Sequence, residues 1–319
     1  MPKFFMKKFL LFIFILLLLS FTGVYIFIPS RISFGKVIYI NGNKNIAGRY
    51  IADEGNWGKW WPSDTQHTLS SENNEISYSY KNYRYTIRRK ALEGTGILIK
   101  HNADTINSFL HTISLNTDSL AVEWKGELGE TYNPFKKIRN YLLATEVKKN
   151  ISEILQSAKS FLENSENVYG LNITQQQVKD TLLISTRLTT NKYPTTAEIY
   201  NLIKSLREYI FSKGGAETNS PMLNITKDSI FKTMVAIPIN RVIPPTAIFL
   251  LKKMVPGKIL VTEVKGGMYS ADEALRQLTI YMEDNHLGSP AIPFQSLVTD
   301  RLKEQDTLKW ITKIYYPVF

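Results

Sequence analysis

Carboxylates are the first side chains in this sequence that could do chemistry. Glu198 and Glu273 each stand three residues after a hydroxyl, in Thr195-Thr196-Ala197-Glu198 and Ser270-Ala271-Asp272-Glu273. Two such acids could act as a general acid and base. The same spacing is also that of a capping box, in which the hydroxyl accepts from a free backbone N–H and the carboxylate bonds back. Both are read as caps. Glu263 is a third acid, in the strand-like run Lys258 to Val264. Alternation puts it on the face of Ile259 and Val261, opposite Lys258, Leu260 and Thr262. It is either a groove acid or an exposed strand charge.

Histidine and tryptophan offer less. His67, His101 and His111 are three of four histidines. His101 and His111 flank a turn and could meet across a hairpin, but no third ligand completes a metal site. Neither metal nor cofactor is expected. Trp57, Trp60 and Trp61 lie within Asn56-Trp57-Gly58-Lys59-Trp60-Trp61-Pro62. They either plug one end of a sheet or stack on a ligand. The absence of cysteine excludes disulfides and thiolate catalysis. There is no phosphate-cradling glycine loop, Gly-x-Ser-x-Gly elbow or His-Glu-x-x-His.

The elements around these residues repeat. Each candidate capping box opens a helical run after a strand-like run, Asp180 to Leu188 and Lys258 to Val264. Each helix then leads through a proline-marked loop into two more strands, the last ending in Ala236-Ile237-Pro238-Ile239 and Tyr315-Tyr316-Pro317-Val318. Two β-α-β-β units cannot each bury an apolar face alone, so they should pack together and leave a groove at their seam. Their expected spans are about 165–240 and 241–319.

Before them, strand-like runs follow one another closely: Ile32 to Ile40, Glu75 to Tyr80, Arg84 to Ala91, Gly96 to Lys100, Thr105 to Leu115 and Ser119 to Glu127. Tight turns between them predict an antiparallel meander. A long helix should start near Pro134 and carry the stripe Ile138, Leu142, Leu143, Val147, Ile151, Ile154, Leu155, Ala158 and Leu162. This domain should span 32–164.

The first 31 residues read as a membrane anchor. Phe9 to Ile28 holds 20 residues without a charge, enough for a helix of roughly 30 Å. Lys3, Lys7 and Lys8 before it place the N-terminus in the cytoplasm and the remainder outside, in the periplasm of a bacterium. A cleaved signal peptide is the competing reading. The net charge of +11 is scattered in short runs such as Lys252-Lys253, so no nucleic-acid partner is expected.

Two resemblances follow from these residues. The meander, the Trp57–Pro62 segment and the domain start after the anchor resemble the START-like (SRPBCC, polyketide-cyclase-type) superfamily. That likeness implies a helix-grip fold with a cavity for hydrophobic or amphipathic ligands. Pro256 to Val261, Gly267-Met268-Tyr269 and Thr312 to Val318 resemble the GyrI-like, or AraC-type effector-binding, family. This second likeness implies a small organic ligand held in the seam by aromatic walls and an acid on the terminal strand. Lys313 occupies the position of that acid and Met234 the matching position in the first unit. The resemblance therefore leaves Lys313 selecting an anionic or carbonyl ligand with Tyr269 and Tyr315 as walls, or pointing to solvent beside a vestigial groove.

The expectation is an α+β chain: a transmembrane helix, a helix-grip domain and a duplicated GyrI-like domain. It would bind a small-molecule or lipid-like ligand without catalysis. A hydrolase or cyclase, or a partner-docking protein, is the rival reading.

Overall fold

The computed structural model of the protein describes residues 2–62, 68–70, 75–91, 94–179 and 181–319. The fold is α+β, with two antiparallel sheets, one curled into half a barrel, and an apolar N-terminal helix. The chain divides into two compact units, Met1–Asn164 and Ser165–Phe319.

Helix α1 (Pro2–Phe27) opens the first unit. Its segment Lys8–Phe27 has 20 residues, mean hydropathy 2.7 and no buried share. That is long and apolar enough to cross a bilayer; a signal sequence has the same character.

Seven strands follow: β1 (Ile32–Asn41), β2 (Thr68–Ser70), β3 (Glu75–Tyr80), β4 (Tyr83–Ala91), β5 (Gly94–His101), β6 (Asp104–Ser114) and β7 (Ser119–Leu128). Helix α2 (Lys44–Tyr50) and a 3₁₀ turn (Glu54–Lys59) lie between β1 and β2. The sheet order β1-β7-β6-β5-β4-β3-β2 is a meander whose last strand returns to the first. Helix α3 (Pro134–Leu162) lies along β1 and β7. Asn133 caps it, accepting from the N–H groups of Phe135 and Lys136, with Pro134 in the first turn.

The stripe from Leu143 to Leu162 is buried, as its spacing predicts. Ile138 and Leu142 are exposed instead. The start of α3 meets α1 there: Phe135 packs edge-on to Phe21 at 5.7 Å, and the Tyr25 hydroxyl donates to the carbonyl of Tyr132.

His101 and His111, which could have met across the hairpin, do not. The β5–β6 register runs from His101↔Asp104 to Thr95↔Leu110, so His101 and His111 stand at opposite ends of the hairpin. His111 instead lies 3.2 Å from Glu123 across the β6–β7 ladder. His67 lies outside the described residues.

The second unit begins with α4 (Ser165–Tyr169), β8 (Thr174–Gln177), β9 (Leu182–Thr190), α5 (Thr196–Ser212), β10 (Met222–Lys227) and β11 (Phe231–Pro238). It continues with β12 (Leu250–Lys253), β13 (Lys258–Lys265), α6 (Met268–Asp284), β14 (Phe294–Leu297) and β15 (Ile311–Val318). The sheet order, β12-β9-β11-β10-β14-β15-β13-β8, reads as two matching halves.

Each half is larger than the β-α-β-β unit read from the sequence. A short strand precedes each, and it is exchanged: β8 pairs with β13, and β12 pairs with β9. Both have four residues with no buried position, so they lack the apolar alternation that marks a strand.

Corresponding residues follow from the register. Leu183 pairs with Pro238 in one half and Ile259 with Pro317 in the other. Counting outward makes Thr186 the counterpart of Thr262 and Thr233 that of Thr312, and all four threonines are at most 2% exposed. The helices cover one face of the sheet, α5 over Ile184, Val235 and Ile237 and α6 over Leu260 and Ile314.

The two helix starts differ. Thr195 and Glu198 make the expected box. Helix α6 begins at Met268 after Gly267, with no side-chain cap. Glu273 is turned instead to Arg276 and Gln277, and Ser270 lies inside the first turn.

Candidate functional site

The second sheet leaves one face without a helix. Side chains alternate along a strand, so the neighbours of the helix-facing residues point to that open face. Leu183, Met222, Met234, Ala236, Phe294 and Tyr315 are such neighbours. Leu223 pairs with Gln295, its counterpart, at the junction of the two halves. Met222 and Phe294 are also counterparts, and they flank that junction.

The segments after the exchanged strands meet over the open face. The Met254 N–H donates to the Thr181 carbonyl at 2.8 Å, and the Val178 N–H to the Gly257 carbonyl at 2.9 Å. Between these segments and the sheet is a cavity of about 230 Å³. Its walls include Leu183, Met222, Met234, Met254, Ile292, Phe294 and Pro317. A smaller hollow of about 60 Å³ adjoins it, sharing Val178, Met222, Met254 and Phe294 and adding Tyr315, Ile259 and Gln176. Phe294 and Tyr315 stack at 4.9 Å with their rings 8° from parallel, forming one aromatic wall. The arrangement is an apolar pocket lined by thioethers, which adapt to irregular shapes.

Charge in the pocket is of one sign. Lys252, Lys253 and Lys258 line the larger cavity, and no acid does so among the described residues. Lys252 sits opposite Leu183 in the β9–β12 ladder, hence on the open face. Its Nζ reaches the Met234 Sδ at 3.2 Å. Burial lowers the lysine's pKa, and nearby Arg187 adds to the effect.

Of the residues named from sequence, Tyr315 lines the smaller hollow and Met234 the larger cavity, and the others lie elsewhere. Lys313 and Glu263 are directly opposed in the β13–β15 ladder, with Nζ 3.8 Å from Oε2 and both side chains nearly half exposed. Neither borders the two hollows. Tyr269 is in the first turn of α6 and 81% exposed.

The tryptophans belong to the first unit, where they pack together. Trp57, Trp60 and Trp61 are buried, and each indole N–H donates to a backbone carbonyl, of Ile51, Tyr50 and Ser79 respectively. Trp57 stacks on Trp61, which packs in turn on Tyr78, Tyr85 and Trp124. Their N–H groups are already satisfied by the fold.

Sequence reasoning missed Lys252, Met222, Met254 and Phe294. Lys252-Lys253 looked like one more short basic run. Met222 and Phe294 become neighbours only where β10 pairs with β14 at the junction, and Met254 joins them only through strand exchange.

Among the described residues no cluster of three or more His, Asp or Glu side chains could hold a metal ion.

No protein-family model matches the chain, and no curated protein matches it in sequence. Solved structures are similar to part of the chain. The EcmrR C-terminal domain is 16% identical, with a TM-score of 0.41, over 47% of this chain and 98% of its own. SAV2435 bound to tetraphenylphosphonium is 14% identical, with a TM-score of 0.31, over 46% of this chain and 94% of its own. A hydrolase from Listeria innocua is 14% identical, with a TM-score of 0.34, over 46% and 91%. TM-scores below 0.5 leave these likenesses too loose to carry a ligand or an activity across.

Proposed function

We propose that this is a membrane-tethered protein that binds a small apolar molecule in the second unit, without catalysis of its own. The apolar cavity of about 230 Å³ on the open face of the duplicated sheet carries this reading. A concave, mostly apolar space with a few polar groups is the ordinary form of a small-molecule site. The placement at the junction of two matched halves agrees with the GyrI-like resemblance of Pro256–Val261 and Thr312–Val318. The START-like resemblance of the first unit is kept as a scaffold, because tryptophan and tyrosine side chains pack the space beneath its sheet.

Tethering rests on α1. Beside its C-terminal end stand the exposed aromatic residues Tyr25, Tyr132 and Phe135, with Lys137 4.9 Å from the Tyr25 ring. Exposed tyrosines favour the bilayer–water boundary, and the buried Lys137 holds the Tyr25 ring in place there. The proposed orientation leaves both units outside the cytoplasm. Protease added to intact spheroplasts would digest them if so; full protection would sink that orientation.

Ligand binding is tested with the full chain in nanodiscs, by thermal shift against lipids, organic anions and organic cations. Met222→Trp fills the cavity and should abolish whatever stabilisation the wild type shows. Stabilisation by no class, or an effect unchanged by Met222→Trp, would remove this site.

A further inference from the structure

The identity of the ligand's polar end can be read from the charges around the groove; this step rests on the binding reading above. Three lysines line the larger cavity, and no carboxylate does so among the described residues. The acid that lies on the same sheet face, Glu263, is occupied by Lys313 at 3.8 Å. Its counterpart in the other half is Arg187, found by counting four residues from Leu183 as Glu263 is four from Ile259. So one end of the open face holds a closed ion pair. The other holds Arg187 and Lys252, which have no carboxylate partner among the described residues.

Lys252 is the cation that the cavity itself presents. Its side chain is half-buried on the open face, and its hydrogen-bonding contact is a thioether sulfur, a weak acceptor. An ammonium in such surroundings has given up water without gaining an anion, so a ligand oxygen there gains a charge-assisted hydrogen bond. The walls beyond it are Met222, Met234, Met254 and Phe294, which accept an aliphatic or aromatic body. An organic cation would meet lysines at every charged position of the wall.

We infer that the groove binds an apolar organic monoanion, such as a carboxylate or sulfonate, with Lys252 on its charged end and the methionines and Phe294 around its body. This polarity is opposite to that of a groove built around an acid.

The test is calorimetric titration of the full chain in zwitterionic nanodiscs with 1-naphthylacetate, 1-naphthylacetamide and 1-naphthylmethylammonium. The carboxylate should bind about tenfold or more tightly than the amide, the usual value of a hydrogen bond to a charged group. The ammonium should bind more weakly than either. Lys252→Met should lower carboxylate affinity about tenfold while leaving the amide within about twofold, and Lys252→Arg should keep the preference. Ammonium binding equal to carboxylate binding, or a preference that survives Lys252→Met, overturns the inference and leaves the groove reading standing. Affinities indifferent to Met222→Trp, or binding by none of the three probes, overturn the groove reading and this inference together.

Discussion

Lys313 lies directly across the β13–β15 ladder from Glu263, with its Nζ 3.8 Å from the carboxylate. The pair closes upon itself the negative charge that Glu263 on β13 would otherwise offer to the open face. Both side chains are nearly half exposed, so the pair contributes little to stability, about 0–1 kcal/mol. Lys313→Met should therefore change the denaturation midpoint only slightly. It should also free Glu263 and raise the affinity of the open face for a lipophilic aromatic cation. Equal cation affinity before and after the substitution would show that the pair does not govern the groove's polarity.

The two helix starts make a matched comparison within one sheet. Thr195 caps α5 through the N–H of Glu198, and the Glu198 side chain accepts from the Thr195 N–H. Thr195→Ala should cost about 1 kcal/mol in chemical denaturation. Ser270→Ala should cost much less, because α6 begins at Met268 and carries no side-chain cap. Comparable losses at the two sites would contradict the asymmetry.

Glu273 also gives a signature in acid. Hydrogen bonds from Arg276 and Gln277 lower its pKa from 4.5 to about 2. A carboxylate depressed in the folded state stabilises above its unfolded pKa, and that contribution is lost as pH falls through the folded value. The window is thus from pH 4.5 down to about 2. Carbon-detected NMR of the Glu273 carboxyl should titrate at the lower end of this window, and Arg276→Met should move the midpoint back toward 4.5. A midpoint unmoved by that change would mean that Arg276 is not its cause.

Beneath the first sheet, Tyr85 is fully buried, and among the described residues its hydroxyl makes no well-formed hydrogen bond, with only the Asn150 side chain as a weak polar neighbour. Burial pushes its phenol pKa well above the ordinary range. Deleting an unsatisfied buried hydroxyl removes a desolvation penalty, so Tyr85→Phe should be neutral or stabilising by about 1 kcal/mol. Trp57→Ala, which empties the centre of the same cluster, should destabilise by about 3–5 kcal/mol. A large loss on Tyr85→Phe would mean that the hydroxyl has work to do, as a ligand cavity there would require.

The sequence made the large elements visible because their signals are periodic. The Leu143–Leu162 stripe and the close succession of β3 to β7 needed no tertiary information. The duplication was legible for the same reason, from strand, helix and a terminal strand containing Pro238 or Pro317. The site was harder. Exchanged strands β8 and β12 carry Thr174-Gln175-Gln176-Gln177 and Leu250-Leu251-Lys252-Lys253. Such short edge strands are held by the ladder of the other half of the sheet, not by their own pattern. The resemblance-based reading looked for charge at Lys313, on a long strand. The cavity's charge is Lys252, on a strand that the pattern did not disclose.

Lys252 loses its charge at a lower pH than an ordinary lysine does. Partial burial lowers its pKa below the ordinary lysine value of 10.5, and the positive field of Arg187 on β9 acts in the same direction. From β11 it faces the uncharged Met234. The ammonium is the protonated form, so the charge is present at low pH and lost as pH rises through the lowered value. A carboxylate ligand is already ionised above about pH 6. Affinity for 1-naphthylacetate should therefore be flat near neutrality and fall at a pH below that expected for an ordinary lysine, while 1-naphthylacetamide shows no such fall. Lys252→Arg should shift the fall beyond the measurable range, because a guanidinium stays charged. Calorimetric Kd values from pH 6 to 11 decide the matter. A profile that is the same in Lys252→Met as in the wild type would place the titrating contact elsewhere in the protein.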